Sequence, residues 1–324
     1  MKNKLAFIGK IVEIYPIDGA DFVESAVVVC GPGGKWMGTV QKGKHLPGTM
    51  VEVYLQDAIV PDTEDFAFMK QHKFRVKMRR FKKVASECLI MPLTVAGHIG
   101  DDISHMKNIM KYVKELPPGL AGIALGNFPT NLMPKTDEPN YQGVRWMVAA
   151  LQGQKYCATV KVDGSSGTIY KTADHFGCCS RNLELKRNEN TAIWKIAIDH
   201  RLEERMPEGY AMQMEICGPG IQKNRMGYPK IQPKVFNVWN INERHFLDFD
   251  DTMFFSDHME IPTVDWVIHD EIFNIDNDDV LRKMAEGKYE SNRQREGIVI
   301  RPMKEQKVRG ERLSFKVINL LYKD

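Results

Sequence analysis

The sequence predicts an α+β protein of two domains: a small all-β barrel, followed by a larger domain that mixes helices with strands. Three observations carry this. Short alternating strands crowd residues 5–93, with turn residues between them. A stretch rich in Pro and Gly follows at 117–130. Beyond it, amphipathic helical stripes are interspersed with apolar strands. At 324 residues the chain is long enough for two cores. The boundary is placed near residue 120, giving domains at 1–119 and 120–324.

In the first part, strands are expected at 5–15, 25–30, 35–41, 50–55 and 87–91. Gly19, Gly31-Pro32-Gly33-Gly34 and Pro47-Gly48 separate them. Five strands in about 90 residues suggest a closed barrel of the OB type. The opening run from Gly9 to Asp21 also resembles OB modules that bind tRNA. Ile103, Met106, Ile109, Met110, Val113 and Leu116 recur at helical spacing, so a helix is expected over 102–116. In the second part, Trp194, Ile198, Leu202 and Met206 predict a helix over 191–206, and strands are expected at 211–217, 234–242, 297–302 and 312–318. Residues 245–281 are expected to be a loop-rich insertion with a short helix after Asn277.

Composition sets bounds rather than an identity. With 43% hydrophobic and 27% charged residues this is ordinary globular composition. No apolar run approaches the roughly 20 residues of a membrane span, and the N-terminus lacks the apolar length of a signal peptide. The six cysteines include no Cys-X-X-Cys. A zinc site or disulfide framework is therefore not expected, and a reducing cytosol fits. The net charge of +3 is small, but its distribution is uneven. Residues 70–83, KQHKFRVKMRRFKK, carry Lys70, Lys73, Arg75, Lys77, Arg79, Arg80, Lys82 and Lys83 with no acid, whereas residues 245–281 hold eleven Asp/Glu and no Lys or Arg. Two such opposed faces would orient a polyanion.

The chemistry centres on Lys161-Val162-Asp163-Gly164, a strand end running into a turn. Residues two apart share a strand face, so the Lys161 amine and the Asp163 carboxylate are expected in one pocket. Gly164 lets the backbone turn closely beside a phosphate. A lysine is a nucleophile only when neutral, which requires desolvation or a nearby cation. Taken alone, the tetrapeptide is what many surface turns carry. Its specificity comes from the order of three later segments: Glu215 before Ile216-Cys217-Gly218-Pro219-Gly220, then Glu296-Gly297-Ile298-Val299-Ile300-Arg301, then Ser314-Phe315-Lys316-Val317-Ile318.

That order resembles the collinear motifs of covalent nucleotidyltransferases, the ATP-dependent RNA and DNA ligases and the capping enzymes. The segment from Asn131 to Gln142, and Gly218-Pro219-Gly220-Ile221-Gln222 after Glu215, are similar to the fifth family of ATP-dependent RNA ligases, which carries an N-terminal OB domain. Domain order agrees, since DNA ligases and capping enzymes usually place their OB domain after the last lysine motif and only eight residues follow Lys316 here.

The resemblance implies an adenylation domain of antiparallel sheets with flanking helices. It also implies three steps: Lys161 attacks the α-phosphorus of ATP, AMP moves from the lysine to an RNA 5′-phosphate, and a 3′-hydroxyl displaces AMP. Asp163, Glu215 and Glu296 would hold Mg²⁺ or Mn²⁺, partly through water. Lys316 would contact the α-phosphate and Arg181 the ribose. In Phe236-Asn237-Val238-Trp239-Asn240-Ile241, Trp239 is preferred over Phe236 as the adenine platform.

Two departures stand out. Val160 replaces the glutamate that many relatives carry before the nucleophile, and Ser314 replaces a first lysine, for which Lys304, Lys307, Arg309 and Arg312 are candidate substitutes. The expected partner is RNA, as a nicked duplex with an RNA 3′-OH strand gripped by Lys73, Arg75, Lys77, Arg79, Arg80, Lys82 and Lys83, and the expected state is a monomer. The rivals are a capping-type guanylyltransferase and an inactive nucleotidyltransferase serving as an RNA-binding protein.

Overall fold

In the computed structural model, residues 4–31, 34–82, 84–112, 122–308 and 310–322 are described. Strands Ala6–Pro16, Val23–Cys30, Gly34–Gln41, Cys88–Pro92 and Met50–Tyr54 follow one another around a closed barrel. The ring closes where Ala6 pairs with Tyr54. All neighbours are antiparallel except Gly34–Gln41 and Cys88–Pro92, which run parallel through only two residue pairs, Gly38–Cys88 and Thr39–Leu89. Alternation sends Val28, Val51 and Val53 to one face and Ile8 and Tyr54 to the other, and all five are fully buried. All five strands lie where the pattern places them, within about two residues at each end, and the architecture is the OB type.

The helix expected over 102–116 is absent from the described part, and residues 113–121, with the boundary near 120, lie outside it. One helical turn forms and stops. Lys107 N–H donates to Ile103 C=O, Ile109 N–H to Ser104 C=O and Asn108 N–H to His105 C=O. Asn108 sits at φ 51°. Those bonds and that left-handed residue make a Schellman stop. Met110–Lys111 then pairs as a strand with Ala58–Ile59, so Met106 and Met110 face solvent rather than a helical seam.

From residue 122 onward, two antiparallel sheets carry the architecture. The larger has seven strands in the order Ala124–Asn127, Leu183–Leu185, His175–Ser180, Ser165–Thr172, Tyr210–Cys217, Gln232–Asn240 and His245–Phe246. The smaller has four: Trp266–Ile272, Lys155–Lys161, Gly297–Pro302 and Phe315–Ile318. The chain crosses from the small sheet to the large one through Val162, Asp163 and Gly164 alone. The helix expected over 191–206 divides into Ala192–Asp199 and Leu202–Arg205, broken where Arg201 takes φ 51°.

The acidic stretch is more ordered than a loop-rich insertion. It forms the helix Phe249–His258 and the edge strand Trp266–Ile272, and the expected short helix follows as Asp278–Ala285, capped by the Asn277 side chain accepting from Asp279 N–H. Asp250, Asp251, Asp257, Asp265 and Asp270 point to water, which is why an element packed on one side reads as a charge run.

Side chains link barrel and sheets. The Arg244 guanidinium lies 3.2 Å from the centre of the Trp36 ring, and Arg80 donates to Glu311 at 2.8 Å. No helix among the described residues is long and apolar enough to cross a membrane.

Candidate active site

A cavity of about 410 Å³ opens between the facing ends of the two sheets. The strand Lys155–Lys161 delivers the Lys161 amine, and the next strand, Ser165–Thr172, pairs with the strand that bears Glu215, Ser166 opposite Glu215. Glu296 immediately precedes Gly297, which pairs with Lys161. One strand further across the small sheet, Lys316 pairs with Val299. Lys161, Asp163, Glu215, Glu296 and Lys316 thereby line the same cavity, together with Val160, Gly164, Arg181 and Phe236. Gly164 is required by proximity: a Cβ there would lie 2.4 Å from the Ile216 carbonyl oxygen and 3.0 Å from the Glu215 side chain. Any larger residue would push the Lys161 turn off the strand bearing Glu215.

Lys161 Nζ donates to Glu296 Oε2 at 2.7 Å, with both side chains only about a quarter exposed. Tyr289 fixes the frame behind this pair. Its hydroxyl donates to the Lys161 carbonyl at 2.8 Å and accepts from Glu296 N–H at 3.0 Å. Nothing in the sequence marks Tyr289, because a buried tyrosine in a loop has no pattern until its partners are placed. Asp163 Oδ2 is 3.7 Å from Arg225 Nε, and Tyr322 hydrogen-bonds the same carboxylate. The Arg225 guanidinium lies over the Tyr322 ring at 4.5 Å. Arg181 pairs with Asp137 at the cavity mouth.

Burial pushes the Glu215 carboxyl up to about 7; Lys161 opposes the rise, and Glu296 and Asp163 add to it. Three carboxylates on one cavity with a neighbouring repulsion suit a divalent cation. No group of three His, Cys, Asp or Glu among the described residues is close enough to enclose an ion directly. The donor set therefore fits an ion that keeps its water shell and is held through it, as Mg²⁺ commonly is.

The two aromatic candidates separate. Phe236 lines the cavity. Trp239 does not: it is 3% exposed, donates from Nε1 to Leu132 C=O at 3.0 Å and packs edge-on against Phe246. The preference for Trp239 is thus corrected, and the reason is a bulge. Gln213 pairs with Asn237 and Met214 with Val235, leaving Phe236 as the extra residue that re-aims toward the cavity.

Of the expected substitutes for a lysine at Ser314, none that is described lines the cavity. Lys304 pairs with Asp248, Lys307 is exposed, Arg309 lies outside the described residues, and Arg312 is tied to Glu305 and Glu138. Among the described residues, the cations lining the cavity are Lys161, Arg181, Arg301 and Lys316. Arg301 is the unexpected member. It is 4% exposed and donates from Nη1 to Phe236 C=O and Asn237 Oδ1, and its buried Nε has no partner.

Residues 70–83 divide as well. Arg75 is held by Asp57 and stacks over Tyr112 at 3.5 Å, so its role is internal. Arg79 lies 2.7 Å from His72 Nε2, and Arg80 reaches Glu311. Lys73, Lys77 and Lys82 are exposed, and Lys83 lies outside the described residues. All six cysteines are buried and unpaired.

The RNA ligase family model matches residues 154–318, and an OB-fold domain model matches residues 5–93. No curated protein matches the chain. Among solved structures, a lysine-to-alanine variant of Naegleria gruberi RNA ligase with ATP and Mn is 26% identical, with a TM-score of 0.55 over 98% of this chain and 96% of that one. The same ligase with pyrophosphate, and a lysine-to-methionine variant with AMP and Mn, are each 27% identical with a TM-score of 0.55, over 98% of this chain and 97% of theirs.

Proposed function

Since the chain belongs to the RNA ligase family, we propose that it seals 3′-OH/5′-phosphate breaks in RNA at the expense of ATP, with Lys161 as the nucleophile that becomes adenylylated. The observation that carries this is the convergence of Lys161, Asp163, Glu215, Glu296 and Lys316 on one cavity at the junction of two sheets. The reading divides the chain into an OB domain at 1–119 and an adenylation domain at 120–324.

Glu296 holds the Lys161 amine at 2.7 Å and orients it; attack on the α-phosphorus requires that the amine shed its proton. A divalent metal, Mg²⁺ or the Mn²⁺ seen in the Naegleria ligase, would be held through water by Asp163, Glu215 and Glu296 and would neutralise phosphate charge. Lys316 lies one strand across from Glu296 and meets the charge that builds on the α-phosphate as pyrophosphate departs. Phe236 offers a flat face to adenine, with Val299 lining the same slot. Arg301 holds the Phe236 carbonyl and Asn237 Oδ1 from Nη1 and so positions that platform. AMP then passes to the RNA 5′-phosphate, and the 3′-hydroxyl displaces it. The substrate is a break in an RNA-containing duplex, the exposed lysines of residues 70–83 face its backbone, and the protein works as a monomer.

Incubation with α-labelled ATP and Mg²⁺ should leave label on the wild-type protein and none on Lys161→Ala. Label transferred from GTP as readily as from ATP would instead favour a capping-type guanylyltransferase. Tight RNA binding without any adduct would favour an inactive RNA-binding protein.

A further inference from the structure

Asp163 sits in the short crossover between the two sheets and pairs with no strand. Sheet pairing fixes Lys161 and Ser165 on either side of it, but the aim of the Asp163 carboxylate is left to side-chain contacts. Those contacts come from two residues that do not line the cavity, Tyr322 and Arg225. The Tyr322 hydroxyl donates to the carboxylate, and Arg225 Nε lies 3.7 Å from Asp163 Oδ2. The Arg225 guanidinium covers the Tyr322 ring at 4.5 Å, which makes the three groups one cluster. Ser291 holds Arg225 in turn, its Oγ donating to the Arg225 carbonyl at 2.5 Å.

Tyr322 belongs to the short segment that follows the last strand, Phe315–Ile318. Its neighbours Leu320 and Leu321 are 70% and 51% exposed, whereas Asn319 is 1% exposed. Apolar burial favours the opposite arrangement, so hydrogen bonds hold this segment in place. Asn319 N–H donates to the Glu296 carbonyl and Nδ2 to the Arg295 carbonyl, both at 2.9 Å. Its Oδ1 accepts from Leu321 N–H at 2.9 Å, and its carbonyl accepts from Tyr322 N–H at 3.1 Å. One buried amide thus ties the backbone at Glu296 to the turn that carries Tyr322.

We infer that residues 319–322 clamp two of the three cavity carboxylates: Asn319 fixes the backbone at Glu296, and the Tyr322 hydroxyl, with Arg225, aims the Asp163 carboxylate into the cavity. Tyr322 is a positioning residue, since it reaches the reacting groups through Asp163 and lines no part of the cavity. This rests on the RNA-ligase reading and deepens it. A carboxylate offers about four acceptor directions. With one side of Asp163 taken by Tyr322 and Arg225, the others are left to the water shell of a divalent ion. Without the hydroxyl the Asp163 side chain spreads over more rotamers, which weakens its hold on the ion and leaves the Lys161 amine where it is.

Tyr322→Phe keeps the ring under Arg225 and removes the hydroxyl alone. With AMP present, which fills the nucleotide site without reacting, loss of the free Mn²⁺ signal in electron paramagnetic resonance reads ion binding without turnover. The variant should need about tenfold more Mn²⁺ for half-saturation, the usual effect of removing a partner that orients a metal-holding group. In labelling with ATP the Mn²⁺ requirement should rise by the same factor. The rate at saturating Mn²⁺ and the KM for ATP should stay within about twofold of wild type, a split that general loosening of the fold would not produce. In an Asp163→Asn background, Tyr322→Phe should cause no further loss of Mn²⁺ affinity, because its effect passes through that carboxylate. Wild-type Mn²⁺ affinity in Tyr322→Phe, or an equal loss with and without the Asp163 carboxylate, would overturn the clamp. Should Tyr322→Phe melt well below wild type, the comparison in the Asp163→Asn background still decides between these outcomes. Absence of any ATP adduct in wild type would sink the ligase reading and leave the ion-binding comparison standing.

Discussion

At Lys161, one hydroxyl sets the geometry of the two groups proposed to act in adenylylation. Tyr289 spans the Lys161 carbonyl and the Glu296 amide just where pairing between their strands ends. Tyr289→Phe should keep the fold and the KM for ATP while slowing lysine adenylylation roughly 10–100-fold, the size expected when a reacting group is held about 1 Å loose. A rate within twofold of wild type in single-turnover labelling would remove Tyr289 from the mechanism. Glu215 supports a prediction of different kind. Its carboxyl is raised to about 7, first by burial, from an ordinary value of 4.5. A folded-state value above the unfolded one gives stability that is complete below the unfolded value and is lost as pH rises through the folded value. The metal-free protein should therefore lose on the order of 2–3 kcal/mol from this group between pH 4.5 and pH 8. Glu215→Gln should flatten that fall, and Mg²⁺ or Mn²⁺ should offset it in wild type only. Calorimetric melts at several pH values that run parallel for the two proteins would contradict this origin.

Among the elements, the strand Gln232–Asn240 makes the sharpest distinction. Its bulge at Phe236 turns that ring into the cavity and leaves Trp239 in a core with Phe128 and Met133. Phe236→Ala should raise the KM for ATP with little loss of stability. Trp239→Ala should instead cost about 3–5 kcal/mol of stability, read from urea denaturation, and should affect ATP binding only through unfolding. The reverse outcome would restore Trp239 as the platform. This strand also shows where legibility ends. The strand itself follows from the β-favouring Val235, Phe236, Val238 and Trp239, but a bulge changes parity without changing composition, so no period can reveal it. The same holds for the methionine stripe at 102–112, where Asn108 in the left-handed region stops a helix that spacing alone would continue. The strands that bring Lys161, Glu215, Glu296 and Lys316 to one cavity were legible because lysine and carboxylates in a fixed order survive any error at an element's ends. Tyr289, Arg225 and Arg301 were not, since each acts through a partner more than sixty residues away in the chain.

For the whole molecule, charge separation and the barrel's contacts bear on how RNA is presented. The acids of residues 245–281 face water beside the small sheet, while Lys73, Lys77 and Lys82 face it from the barrel. Reversing those three lysines to Glu should weaken sealing of nicked RNA duplexes and lower the salt slope of binding by about 0.7–0.9 per lost phosphate contact. Adenylylation from ATP should be spared. An unchanged slope would assign the run to solvated surface. Net charge alone conveyed none of this, because +3 is a small difference between 45 basic and 42 acidic residues.

The site of AMP attachment is the most direct test of Lys161 as the nucleophile. Wild-type protein incubated with ATP and Mn²⁺, digested at neutral to alkaline pH and mapped by tandem mass spectrometry should carry a single adenylyl group, on Lys161, and Glu296→Ala should carry far less. An adduct on another residue, or one at full yield in Lys161→Ala, would contradict it.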